Sequence, residues 1–113
     1  MHELGIATEI VNTSITTAKE NNAKKVLSVS VDIGELAIVN PEQLKFMYEV
    51  ITEDTILKGS DFIMRMIPAE TTCSCGYAGG VEDKFTCGCP KCGMTLHVFK
   101  GKDIMVTSIE IDA

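Results

Sequence analysis

Apolar positions along the chain change their spacing repeatedly before residue 70. Between residues 4 and 18 the small or apolar groups are Leu4, Ala7, Val11, Ile15 and Ala18. At about 100° per residue these fall on one stripe, so the spacing predicts an amphipathic helix whose buried face Ile10 widens. Thr13, Ser14, Thr16 and Thr17 are weak helix formers, so packing has to hold this helix. Asn21 and Asn22 end it. From Val26 to Ile33 the period drops to two. Leu27, Val29, Val31 and Ile33 alternate with Ser28, Ser30 and Asp32, which predicts a half-buried strand that Gly34 ends or bulges. Asn40-Pro41-Glu42-Gln43 is a helix start: Asn40 caps, Pro41 sits where no amide bond is needed, and Gln43 can close a capping box. Leu44, Met47, Tyr48 and Ile51 supply the apolar stripe, and Gly59 stops or turns the chain. Asp61 to Ile67 is a second strand, apolar on both faces and closed by Pro68. Ile104 to Ile111 is the last. Two helices and three strands predict an α+β body with a small mixed three-stranded sheet.

The stretch from 70 to 100 differs in kind. It holds all five cysteines and five of the nine glycines, with few large aliphatics. Such a segment cannot build its own apolar core, so something covalent or metallic must fold it. Strands of the main body flank it on both sides, which makes it an insertion. The expected organisation is a first domain over 1–69, an inserted zinc-binding domain over 70–100, and a strand over 101–113 that returns to the first domain.

The cysteines explain the insertion. Cys73-Ser-Cys75-Gly is followed, 11 residues later, by Cys87-Gly-Cys89-Pro-Lys-Cys92-Gly. Two close groups of cysteines separated in this way resemble a zinc ribbon. Zinc takes four thiolates in a tetrahedron, and a tight turn lets two sulfurs and nearby amides face one ion. A glycine after each pair permits that turn. Five cysteines are one too many. Cys89 and Cys92 have the better spacing, so Cys87 is the spare thiol; the alternative is that Cys87 replaces Cys89 as a ligand. A thiol–disulfide switch lacks the βαβ surroundings such motifs occupy.

Length and charge narrow the function. A chain of 113 residues makes one domain with a small module attached. It has no Trp and few aromatics, so aliphatics and six Met fill the interior. A net charge of -6 excludes nucleic acid as a partner. The longest aliphatic run, Leu36-Ala37-Ile38-Val39, cannot span a bilayer. Met-His-Glu is no signal peptide, so the chain reads as cytoplasmic. No nucleophile–base pair, phosphate loop or catalytic carboxylate pair is evident, and the chain is not expected to be an enzyme.

His2 follows the initiator Met, which is normally removed only before small residues. The Met1 α-amine, the His2 amide and the His2 imidazole then form a row of nitrogens joined by short chelate rings. With the amide deprotonated, three donors lie in one plane. That arrangement suits Ni(II) or Cu(II) better than tetrahedral zinc. Glu3 can add a carboxylate to the same ion, or stabilise the first helical turn through its dipole.

Met1-His2-Glu3-Leu4 opening a helix, then "VSVDIGEL", "NPEQLKFMYEVIT", "TILKGSDFIMRMIPAETTCSCGY", "CPKCG" and "SIEID" together resemble the HypA/HybF family of hydrogenase-maturation nickel metallochaperones. The resemblance runs nearly end to end. It implies a small α+β nickel-binding domain with a zinc-ribbon domain inserted near its C-terminal end. It also implies the activity: carrying Ni(II) as cargo and passing it, with a GTPase partner, to the large subunit of a nickel–iron hydrogenase. Some members serve urease. The resemblance makes His2 the nickel ligand, ties Glu3 to function, and assigns structural zinc to Cys73, Cys75, Cys89 and Cys92. The Cys73–Cys75 pair is one residue shorter than the family's Cys-x-x-Cys, which leaves Cys87 as the alternative ligand. A homodimer is compatible with the sequence. The competing reading is a zinc-ribbon interaction module that recruits a protein partner without nickel transfer.

Overall fold

The computed structural model describes residues 2–112. The first helix, α1 (Glu3–Glu20), leads to strand β1 (Lys25–Gly34), a 3-10 turn (Glu35–Ala37), helix α2 (Pro41–Ile51) and strand β2 (Asp61–Ile67). Three short strands follow: β3 (Glu70–Thr72), β4 (Ala78–Gly79) and β5 (His97–Lys100). The last strand, β6, is Ile104–Asp112. Two three-stranded sheets result, in the orders β2-β1-β6 and β4-β3-β5. Lys24 N–H donates to Asp112 O at one end of β1 and Gly34 N–H to Asp103 O at the other, so β1 and β6 run antiparallel. Val26 meets Ile56 and Asp32 meets Arg65, so β1 and β2 advance together, as a crossover through α2 requires. The sheet is mixed, with β1 at its centre.

The ends of α1 follow from local chemistry. Asn22 takes a left-handed conformation (φ 56°), Ala23 N–H reaches Ala18 O at 2.9 Å and Asn22 N–H reaches Lys19 O at 3.1 Å. This is a Schellman stop with Asn where Gly is commonest. Ser14, fully buried, returns its hydroxyl to Ile10 O at 2.7 Å, which explains how a weak helix former sits in the core.

The buried face of α1 is turned relative to the spacing-based stripe. Glu3, Ala7, Ile10, Val11, Ser14 and Ala18 are inside, whereas Leu4 is 53% exposed. The cause is Glu3, whose carboxylate Oε2 accepts the Asn40 backbone N–H at 3.1 Å. Asn40 caps α2 as expected, its Oδ1 accepting from Gln43 N at 3.1 Å. The other half of the expected capping box goes elsewhere: Asn40 N–H is given to Glu3 rather than to Gln43. In β1 the alternation holds for Val29, Val31 and Ile33 but fails at Leu27, which is exposed, while Val26 and Ser28 are buried. A central strand is covered near its start on both faces.

The chain forms two compact units. One comprises the chain through Asp32, Val39–Arg65 and the chain from Met105. Its core is built from α1, α2 and the faces of β1 and β2, with Val29, Leu44, Tyr48 and Leu57 fully buried. The other comprises Ile33–Ile38 and Met66–Ile104. Within it the chain crosses itself closely. Leu36 N–H donates to Gly101 O at 2.9 Å, and Glu35 Oε1 accepts Ala69 N–H at 2.8 Å. A Cβ on Gly101 would lie 2.6 Å from Ala69 Cα, and one on Gly34 would lie 2.4 Å from the Gly101 carbonyl.

Candidate metal centre

Two turns carry the cysteines. In the first, Gly76 N–H closes onto Cys73 O at 2.9 Å and Cys73 N–H onto Tyr77 O at 2.9 Å, with Gly76 at φ 100°. In the second, Gly93 N–H closes onto Cys89 O at 2.8 Å and Cys89 N–H onto Met94 O at 2.7 Å, with Gly93 at φ 79°. Both glycines occupy the left-handed region, where a side chain is strained. The first turn is tight enough that one intervening residue, Ser74, suffices to bring both its sulfurs to one side.

The two turns bring together Cys73, Cys75, Cys89 and Cys92, whose sulfurs all lie within 4.8 Å of one another. Cys73 Sγ is 3.5 Å from Cys92 Sγ, and Cys75 Sγ is 3.7 Å from Cys89 Sγ. All are free thiols. Four sulfurs around one zinc at about 2.3 Å each would stand roughly 3.8 Å apart, so the cluster has the dimensions of a tetrahedral thiolate site. Lys91 N–H points at Cys89 Sγ from 3.4 Å, as amides do around bound thiolates.

The thiols do not ionise alike. Burial pushes the Cys89 thiol up, but the N–H groups of Cys92 and Lys91 and the neighbouring thiols outweigh it and bring it to about 7. At Cys92 the Met94 N–H pulls down, while the thiol of Cys73, burial and the other sulfurs push it up to about 12. Of these two, Cys89 therefore gives up its proton the more readily and Cys92 keeps its own. A divalent cation at the centre removes that conflict, since it replaces the protons the sulfurs otherwise share.

Cys87 stands outside this cluster. Its backbone is left-handed (φ 52°), and its thiol points back to Lys84 O at 3.8 Å. It closes the loop that Asp83 organises: Asp83 Oδ1 accepts from Phe85 N–H at 2.9 Å and Thr86 N–H at 3.3 Å, which holds its carboxyl below the usual range. His97 is exposed on β5, across from Thr72.

At the amino end, His2 is exposed and forms the cap of α1, its carbonyl accepting from Ile6 N–H at 3.0 Å. Glu3 is buried (8% exposed), and the Asn40 N–H holds its carboxyl below the ordinary value of 4.5. Met1, expected to supply the α-amine, lies outside the described residues. Glu35 was not singled out by the sequence. Besides Ala69 N–H, it faces Lys84 Nζ at 3.8 Å, so one carboxylate ties the base of the cysteine-bearing unit to the loop before Cys87. Its place in "VSVDIGEL" is the signal that could have found it. No helix among the described residues is long and apolar enough to cross a membrane.

Comparison with known proteins adds a consistent set of likenesses. The family described as "Hydrogenase/urease nickel incorporation, metallochaperone, hypA" matches residues 1–111. A hydrogenase maturation factor HypA from Methanocella arvoryzae is 54% identical over 112 residues, covering 99% of each chain. One from Methanothermobacter thermautotrophicus is 44% identical over 119 residues, covering 99% of this chain and 98% of that one. Among solved structures, the solution structure of the Ni metallochaperone HypA from Helicobacter pylori superposes with a TM-score of 0.74 at 22% identity, covering 100% of this chain and 99% of that one. At that identity the likeness establishes the fold.

Proposed function

This chain belongs to the HypA family of hydrogenase and urease nickel-incorporation metallochaperones, which are maturation factors and not enzymes, and from that premise we propose that it carries Ni(II) at its amino end and zinc among its cysteines. The nickel-binding stretch is Met1, His2 and Glu3. His2 supplies an exposed imidazole and a backbone amide at the cap of α1. Glu3 fixes the turn that carries them, through its bond to Asn40 N–H. A chain end can wrap an ion and release it, which a carrier needs, and nitrogen donors suit nickel's planar preference. Zinc sits among Cys73, Cys75, Cys89 and Cys92, with Cys87 outside the set. When bound, it cross-links the two turns and supplies folding energy. The recipient is the large subunit of a nickel–iron hydrogenase, and a GTPase acts with this chain in the transfer. The nickel-bearing part is 1–69 with 101–113, and the zinc-bearing part is 70–100. The site of action is the cytoplasm.

The observation that carries the reading is the division of donors: four sulfurs gathered in a closed set, and an exposed imidazole placed on a chain end by a buried carboxylate. Closed thiolate sets hold metal for structure, whereas sites with exchangeable positions hold it for use. Nickel titration of tag-free protein and of His2→Ala tests it. The variant is expected to lose nickel binding while keeping its zinc content and its far-UV circular dichroism. Equal nickel uptake by the variant, or nickel–sulfur charge-transfer bands in the wild type, would overturn it.

A further inference from the structure

Neither metal reading uses the groove between α2 and the start of β2. It encloses ≈ 510 Å³. Lys45 and Glu49 of α2, with Glu53 just past its end, form one wall, and residues 59–63 form the other. Tyr48 stacks on Phe62 beneath it, with ring centroids 4.3 Å apart and planes 14° from parallel. The Tyr48 hydroxyl is fixed to Ser60 Oγ at 2.6 Å. The floor therefore rests on a stacked aromatic pair with the hydroxyls of Thr52 and Ser60 beside it, and the rim is charged.

The strand beside the groove is an edge. In the order β2-β1-β6, β2 has β1 on one side and no strand on the other among the described residues. Natural edges are usually blunted by outward charges or by proline. Here Arg65 is exposed but leans away from the free side toward β1, its guanidinium donating to both carboxylate oxygens of Asp32 at 3.0 and 2.8 Å. Ile63 is left 49% exposed on the same strand. An edge whose mid-strand charge is committed to the neighbouring strand, next to a groove with a helix as the far wall, is the layout by which domains accept an added strand.

We infer that this edge and groove are a docking site for an extended, basic segment of a partner protein, which pairs with β2 as a fourth strand. Ladder hydrogen bonds from the β2 backbone supply the affinity. Alternate side chains of an added strand point the same way, so basic residues at every second position meet the acidic rim while the apolar ones between them cover Ile63. The rim has carboxylates at Glu49, Glu53 and Asp61 against the single ammonium of Lys45. Glu53 also faces Lys58 at 3.6 Å, which leaves Glu49 and Asp61 to select a cation. The net charge of -6 attracts a basic segment from a distance. It disfavours a second copy of this chain, whose own acidic rim would be brought up against this one.

The site involves no metal ligand, so its test stands apart from the nickel reading. Isotope-labelled full-length protein is titrated with a blocked peptide of alternating Lys and Val and followed by amide chemical shifts. Shifts are expected across residues 41–53 and 59–65. Replacing the Lys by Glu, or N-methylating alternate peptide amides, is expected to weaken binding about tenfold or more. The same loss is expected from the double substitution Glu49→Lys, Asp61→Lys, both exposed, with unchanged circular dichroism. Three results overturn the inference: no saturating shifts at millimolar peptide, equal binding of the Lys and Glu peptides, or concentration-dependent broadening of β2 amides without peptide. The last would give the edge to a second copy.

Discussion

Glu3 uses its carboxylate outside its own helix. The Asn40 N–H it accepts is one of the donors that α2 leaves without an intrahelical partner, so a residue at the start of one helix caps another. Because that bond lowers its pKa below 4.5, the tie contributes stability above that value and loses it as the pH falls through the folded-state pKa. Acid titration followed by the Glu3 carboxyl carbon and the Asn40 amide is expected to show both moving together, with a midpoint below 4.5. Independent midpoints would refute the tie. Among the thiols, Cys87→Ser is expected to retain one zinc per chain. Cys89→Ser is expected to lose it, as metal analysis after gel filtration would show. The spacing of Cys89-x-x-Cys92 made that pair legible from the sequence. The partner of Glu3 was not, because 37 residues separate it from Asn40 and no local pattern records a contact between helices.

The longer elements were legible in the spacing of apolar residues: both helices bury one face at the helical period, and β1 follows period two from Val29 to Ile33. The strands of the second sheet have two to four residues each. No periodicity can be read from so few, and the cysteine turns position them. The side that α1 buries was misjudged at two positions: Leu4 looks like core, but the inward place is taken by a carboxylate with a backbone partner, and Ser14 is buried where Ile15 was expected. Two glycines at element ends separate backbone strain from crowding. Gly59 has positive φ and open space around it, so Gly59→Ala is expected to cost only about 1 kcal/mol. Gly101 has positive φ, and its Cβ would strike the Ala69 backbone, so Gly101→Ala is expected to cost more than about 2 kcal/mol. Urea denaturation of the two variants measures the difference, and equal losses would mean that the crossing yields.

At the scale of the molecule, the two units are held by different means. The first has a continuous aliphatic interior. The buried apolar residues of the second are Ile33, Ala69, Cys89 and Leu96, too few to offset the entropy of ordering its 45 residues at roughly 1.5 kcal/mol each. Zinc removal by a chelator is therefore expected to abolish amide protection in residues 66–104 while leaving α1, α2 and β1 protected. Hydrogen exchange resolves the two, and uniform loss would show one cooperative structure. The four-cysteine cluster was visible in the crowding of cysteine and glycine. The contribution of residues 33–38 to that unit was not, because they lie some thirty residues upstream in an ordinary strand and turn.

That contribution has a consequence for anyone who would transplant the zinc module. Its gene segment is not contiguous: an excised 66–104 cassette would leave behind Ile33, its most deeply buried aliphatic anchor, and Glu35, the carboxylate that grips Ala69 and Lys84. A graft that splices in residues 33–38 should hold its shape, and one cut at the cysteines should come away as a loose loop around an ion.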